Sequence, residues 1–230
     1  MTAKGMGMRG RWIGSAAVAC VALAMPAIAQ SARDILTQAA FEDRNRDTAL
    51  SRVDRVRDIA AARPNDEDYA VLAAVALGYR AKLTGSRSEA TAARKEFETV
   101  CARFPRNAEA QLGLGAWHLG VINRVGRLVG RVVGAQRGTG IAAIERSVAL
   151  GGNRAMFAGF AGMMLIELDP EDARGRTLLE TAVRAPAPTP LDRIVQRSAA
   201  QVAATLRQGN AKQAQELADR LLPFGWYRPK

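Results

Sequence analysis

Few residues in this chain could perform acid–base or metal chemistry. Its 230 residues include one histidine, His118, and two cysteines, Cys20 and Cys101. A metal site needs several His, Cys or carboxylate ligands that converge, so zinc or iron chemistry is not expected. A Ser–His–acid triad would have to use His118, and no Gly-x-Ser-x-Gly motif accompanies it. The sequence therefore predicts a protein that is not an enzyme and holds no metal and no cofactor.

His118 follows Trp117 in a predicted helix, and the pair allows two interpretations. With Arg124 it could line a cavity for a small anionic or apolar ligand. The simpler interpretation is a histidine that packs in the core or lies at the surface. The glycine-rich residues 138–140 precede a helix and could cradle an anion. They lack the Lys-Ser/Thr of a P-loop, so a turn is the simpler interpretation.

Residues 120–134 carry the most distinctive pattern. On a helical wheel, aliphatic residues share one face, arginines lie opposite, and glycine recurs every fourth residue along one flank. The candidate binding residues, besides Trp117 and His118, are Arg124, Arg127, Arg131, Gly126, Gly130 and Gly134. A basic amphipathic helix can bind an anionic membrane surface, and a glycine ridge can admit a partner helix. The simpler interpretation is an aliphatic face in the core with solvated arginines.

The first 29 residues resemble a secretory signal peptide. A basic start is followed by an apolar run from Trp12 to Ile28, and small residues at Ala27 and Ala29 suit a cut before Gln30. We therefore expect a periplasmic protein. An uncleaved anchor is disfavoured because the run is short for a membrane span. A lipoprotein is disfavoured because the apolar run continues past Cys20.

The net charge is +11, and cleavage would leave 30 basic and 22 acidic residues, a net +8. A basic surface attracts anionic partners, but export argues against nucleic acid. Cleavage would also leave Cys101 as the one thiol, which we expect in the core.

From residue 31 onward the apolar spacing predicts helices, separated by breakers at regular places. Pro64 and Pro105 are 41 residues apart, and each is followed by an asparagine and an acidic residue. Repetition at such a period is typical of helical solenoids, in which hairpins stack because one hairpin cannot bury its apolar face alone.

The pattern resembles the tetratricopeptide repeat (TPR) family. The matching positions of one unit are Leu77-Gly78, Ala93, Phe97 and Pro105, and those of the next are Leu119-Gly120, Gly140, Ile144 and Ser147. The second unit has Gly152 where the family has proline. The resemblance covers most of residues 48–185 and implies a protein-interaction scaffold.

The expected fold is all-α, a right-handed stack of TPR-like hairpins with about nine helices in a single domain, residues 30–230. We expect the aromatic tail, residues 223–230, to cover the exposed end of the stack. The first predicted function is a periplasmic adaptor that binds a protein or peptide in a groove. The alternatives are a small-ligand-binding component, of the kind that accompanies transporters, and a protein that binds an anionic membrane surface through residues 120–134.

Overall fold

The computed structural model describes residues 24–227, with side chains from residue 32 onward. This part of the chain is helical throughout and contains no strand, which confirms the predicted all-α class. Its ten helices, against about nine expected, are α1 (Ala24–Phe41), α2 (Arg46–Ala61), α3 (Glu67–Thr84), α4 (Arg87–Arg103), α5 (Ala108–Val132), α6 (Arg137–Leu150), α7 (Ala155–Leu168), α8 (Ala173–Arg184), α9 (Pro190–Arg207) and α10 (Ala211–Leu221). The predicted signal peptide lies mostly outside the described residues and stays a prediction.

Capping residues explain where most helices begin. Asp66 and Asn107 accept hydrogen bonds from backbone N–H groups of the first turns of α3 and α5. Asp172 caps α8 in the same way. Thr189 forms a reciprocal capping box at α9. No described helix is long and apolar enough to cross a membrane.

Consecutive helices from α2 to α6 pack against each other, and each odd-numbered helix also contacts the next odd-numbered one. Phe97 of α4 shows how closely the helices approach. A Cβ atom on Gly78 would lie 3.3 Å from its ring, and a Cβ on Gly113 would overlap it. The ring is therefore held between α3 and α5, which need glycine at these two positions.

The second repeat unit differs from the predicted match. Gly120 has open space where its Cβ would be. Gly115 makes the close approach instead, because its Cβ would lie 2.9 Å from the carbonyl oxygen of Gly140 and would overlap Ile144. Gly140 nevertheless packs against Leu119 of the expected pair, so α5 and α6 are in close contact at both Gly115 and Leu119.

Helix α7 is the centre of the C-terminal half. Its residues Ala155–Glu167 are all buried, as expected for a helix that is apolar on every side. It contacts α5, α6, α8, α9 and α10. The ring of Phe41, at the end of α1, stacks on Phe160 of α7 with centroids 6.3 Å apart. The first helix therefore reaches the central helix of the second half.

The C-terminal tail, which we define as residues 222–227, packs against the first three helices. Phe224 is completely buried in a cluster with side chains of α1, α2 and α3. The tail therefore covers the N-terminal hairpins. The tail reaches α1 and α3 from α10, which packs on α7 and α9. The expectation that it covers an exposed end of a helical stack stays a prediction.

Candidate binding surface

The last part of α5 changes direction at a glycine. Gly126 has φ 78° and ψ 165°, a backbone conformation that is essentially restricted to glycine. Helical geometry resumes after it and ends at Val132. We call residues 124–132 the tip segment. The prediction of one continuous helix over residues 120–134 is therefore wrong at its centre, since the turn at Gly126 interrupts the constant angular step that a helical wheel assumes.

The aliphatic side chains of the tip segment face solvent. Leu128 is 81% exposed and Val132 is 75% exposed, while Val125 and Val129 are nearly half exposed. Among the described residues, these four are the large apolar side chains classed as exposed. The simpler sequence interpretation, an aliphatic face buried in the core, holds for Ile122 but is wrong for these four, because the break in α5 takes them away from the neighbouring helices.

The tip segment also carries three unpaired positive charges. Arg124, Arg127 and Arg131 are exposed, and within the described part of the chain none forms an ion pair or a side-chain hydrogen bond. The sequence has no acidic residue between Glu109 and Glu145. The surface around the exposed valines and leucine is therefore positive and suits an anionic partner.

The three glycines of this region serve the chain's own packing and backbone. Gly130 is buried, and a Cβ there would lie 3.4 Å from Ile122 and 3.5 Å from Ala135. Gly134 has φ 85°, and a Cβ there would lie 2.5 Å from the Arg94 guanidinium. The predicted glycine ridge is therefore not formed, because Gly126 turns the chain and Gly130 and Gly134 lie against other side chains of the same chain. A ridge would require one continuous helix, which the turn interrupts.

Trp117 and His118 lie in the core at the base of the tip segment. The indole Nε1 of Trp117 donates a hydrogen bond to the carbonyl oxygen of Ala90 at 2.8 Å. His118 is buried, and its Nδ1 accepts from the backbone N–H of Gln136 at 3.2 Å. Burial, assisted by Arg94, lowers the pKa of His118. The neutral imidazole therefore anchors the loop that follows the tip segment.

The structure does not bring Trp117, His118 and Arg124 together around a cavity. Two open hollows, of about 270 and 370 Å³, lie elsewhere and share Gly152, Arg154 and Phe157. The predicted small-ligand cavity is thus not found at these residues, because Trp117 and His118 point into the contacts with α4 and α6 while Arg124 faces solvent.

The remaining candidate groups lie apart from the tip segment. Among the described residues, no group of three or more His, Cys, Asp or Glu side chains is placed so that it could hold a metal ion. Residues 138–140 lie within the first turn of α6, where Gly140 packs against Leu119 and His118, so they form a helix start. Cys101 is half-buried, and burial raises the pKa of its thiol to about 11. This pKa keeps the thiol protonated and poorly nucleophilic at neutral pH.

Sequence reasoning did not select Val125, Leu128, Val129 and Val132 as site residues. Their spacing is equally typical of a core helix, so periodicity alone could not separate the two cases. The signal that could have done so is the absence of acidic residues around them, between Glu109 and Glu145.

Comparison of the chain with known protein families, with curated proteins and with solved structures gives no significant match.

Proposed function

We propose that this chain is a non-enzymatic periplasmic scaffold of TPR-like hairpins that docks on an anionic membrane surface through its tip segment. The observation that carries the proposal is the coincidence, on nine residues, of four exposed aliphatic side chains and three unpaired arginines. A protein normally buries such a group of apolar side chains or uses it for contact with a partner.

The chemistry of the tip segment favours a membrane over a second copy of the chain. Two tip segments that met face to face would place six unpaired arginines in one interface, and like charges there are unfavourable. An anionic lipid surface can bury the exposed aliphatic side chains and attract the unpaired arginines. Burial of a Leu or Val side chain contributes about 1.5–3 kcal/mol, and an arginine near such a surface contributes about 1 kcal/mol. These contributions support reversible peripheral binding.

The helix contacts support the repeat scaffold. Ala93 and Phe97, which match the small and aromatic positions of the TPR second helix, are buried against α3 and α5. The close approach at Gly78 agrees with the Leu-Gly pair of the first helix. Helices α9 and α10 both contact α7 of the preceding hairpin, which also supports stacked hairpins in this proposal.

Vesicle flotation tests the proposal. We expect the full chain, freed of any signal peptide, to float with vesicles that contain phosphatidylglycerol and not with pure phosphatidylcholine vesicles. Binding should weaken as salt rises from 0.05 to about 0.5 M because the charges are exposed. Replacement of Arg124, Arg127 and Arg131 by Gln, or of Leu128 and Val132 by Ser, should each reduce binding at least about tenfold.

The matched control replaces Arg55, Arg87 and Arg197 by Gln, since these arginines are equally exposed and unpaired but lie far from the tip segment in sequence. This variant has the same net charge as the tip variant and should still float. Equal loss in both arginine variants would show that only net charge matters and would refute docking through the tip. Retention of binding by both tip variants would refute it as well.

A further inference from the structure

The C-terminal tail occupies a receptor-like site that belongs to the first three helices. Phe224 is completely buried among side chains of α1, α2 and α3, and its ring meets Tyr79 edge-on with centroids 4.9 Å apart. Its backbone N–H donates to the carbonyl oxygen of Ala40 at 3.0 Å. The Lys82 ammonium donates to the carbonyl oxygen of Pro223 at 2.6 Å. We call the surface formed by Ala40, Tyr79 and Lys82 the Phe224 socket.

These contacts are those by which a folded domain binds a short peptide. One aromatic side chain fills an apolar hollow, and backbone groups beside it pair with the receptor. The tail has its own turn, in which the N–H of Gly225 donates to Leu222 and that of Tyr227 donates to Phe224. It is therefore a compact turn that is placed on the socket, joined to the rest of the chain through α10.

The tail fits the socket imperfectly. Phe224 has φ 57°, a left-handed conformation that is unfavourable for a bulky side chain. The indole Nε1 of Trp226 is buried and has no hydrogen-bond partner among the described residues. Both features weaken the docking of the tail, and a segment with the same aromatic chemistry but without these two features would bind more tightly.

We propose that the Phe224 socket is a binding site for an aromatic turn segment of a partner protein, and that the tail occupies it when the partner is absent. This site is separate from the tip segment and does not depend on membrane docking. The partner segment is an apolar turn with a phenylalanine-like side chain at its centre and a carbonyl group within reach of Lys82. The tail competes with it from within the same chain, which lowers the apparent affinity by the fraction of molecules in which the socket is open.

Hydrogen exchange on the wild-type chain gives the first test. If the tail is a replaceable occupant, the amides of Phe224 and Tyr227 should exchange at least about a hundredfold faster than the hydrogen-bonded amides in the middle of α3, because the tail detaches without unfolding of the helices. Exchange of the tail and α3 at the same rate would show that the tail leaves only on global unfolding, and would overturn the proposal.

Peptide binding gives the second test. The probe is a fluorescein-labelled peptide with the sequence of residues 222–230, and the control peptide carries Phe224→Ala. We expect the full-length variant Phe224→Ala to bind the probe at least about tenfold more tightly than the wild-type chain, and neither protein to bind the control peptide. The ratio of the wild-type Kd to the Kd of Phe224→Ala should equal the reciprocal of the fraction of wild-type molecules with an open socket, as hydrogen exchange gives that fraction.

The proposal is overturned if Phe224→Ala keeps its helical circular dichroism and cooperative melting but does not bind the probe. If Phe224→Ala does not fold, the hydrogen exchange of the wild-type chain decides. A second substitution, Tyr79→Ala in the Phe224→Ala chain, removes the ring that faces Phe224 and should abolish the binding gained. Retention of that binding would show that the probe binds elsewhere.

Discussion

Asp192 and Glu171 each accept a short hydrogen bond from an arginine, in surroundings that differ completely. Asp192 is 0% exposed and accepts from Arg154 at 2.8 Å and from the backbone of Met156. Burial alone would raise the pKa of Asp192, but these donors outweigh it and hold the pKa below its ordinary value. Glu171 pairs with Arg176 at 2.6 Å, and its side chain is 70% exposed.

We therefore expect Asp192→Asn to lower the free energy of unfolding by about 2–4 kcal/mol, since it leaves buried donors and Arg154 without their anion. Glu171→Gln, the matched control, should change it by less than about 0.5 kcal/mol because water screens that pair. Urea denaturation followed by circular dichroism measures both. Equal effects of the two substitutions would contradict the dominant role of burial.

His118 should make stability depend on pH. Its pKa in the folded chain is lowered by burial, so the unfolded chain takes up a proton first as the pH falls below about 6.5. The stability contributed by neutral, buried His118 is fully present above that pH and is lost as the pH falls toward the pKa of the folded chain. The free energy of unfolding then decreases by at most about 1.4 kcal/mol per pH unit. Protonation of Nδ1 also removes the acceptor of the Gln136 N–H.

The control for this prediction is His118→Asn, whose side-chain oxygen can accept in place of Nδ1 but does not titrate. Urea denaturation at pH 7.5 and 5.5 should show a larger loss of stability in the wild-type chain than in the variant. An equal loss in both chains would assign the effect to other groups.

At the scale of elements, two glycines of α5 offer a matched pair. Gly126 turns the helix with φ 78° and ψ 165°, whereas Gly120 is helical, and a Cβ on either would meet open space. Gly120→Ala should stabilise the protein by about 0.5–1 kcal/mol because alanine is the better helix former. Gly126→Ala should destabilise it by about 1–3 kcal/mol or straighten α5, since alanine does not adopt that conformation.

Thermal denaturation of the two variants measures the difference in stability, and vesicle flotation tests the proposed membrane binding of the tip segment in each variant. A straightened α5 would present Leu128 and Val132 at another angle, so Gly126→Ala should also bind anionic vesicles less well. If both alanines stabilise the protein equally, the turn at Gly126 is not a feature of the folded chain.

The helices of this protein were largely predictable, because capping residues such as Asp66, Asn107 and Thr189 mark their starts in the local sequence. The tip segment was predictable only in part. A helical wheel shows which residues share a face, but the face that meets another helix depends on contacts between distant segments. The spacing places Gly126 in a row of glycines, but spacing alone does not determine its backbone conformation.

At the scale of the whole molecule, the proposed export requires that cleavage of the signal peptide leave the fold intact. The core side chains described for α1, from residue 32 onward, are Ala32, Ile35, Leu36, Ala39 and Ala40, and a cut before Gln30 would retain all of them. We expect the native protein to begin at Gln30 with its core intact. N-terminal sequencing checks this, and Ala29→Leu should slow processing because signal peptidase requires a small residue there. A protein that retains Met1, or carries a lipid on Cys20, would contradict it.

The contact between the tail and the first three helices joins residues that are synthesised at different times. Lys82 and Pro223 are 141 residues apart, so at about 5–20 residues per second their synthesis is separated by roughly 7–30 s. During that interval the hollow beside Tyr79 has no Phe224, and the first hairpins expose the apolar surface that the tail later covers. The newly made protein is therefore most prone to aggregation, and most open to chaperones, at the end that emerges first.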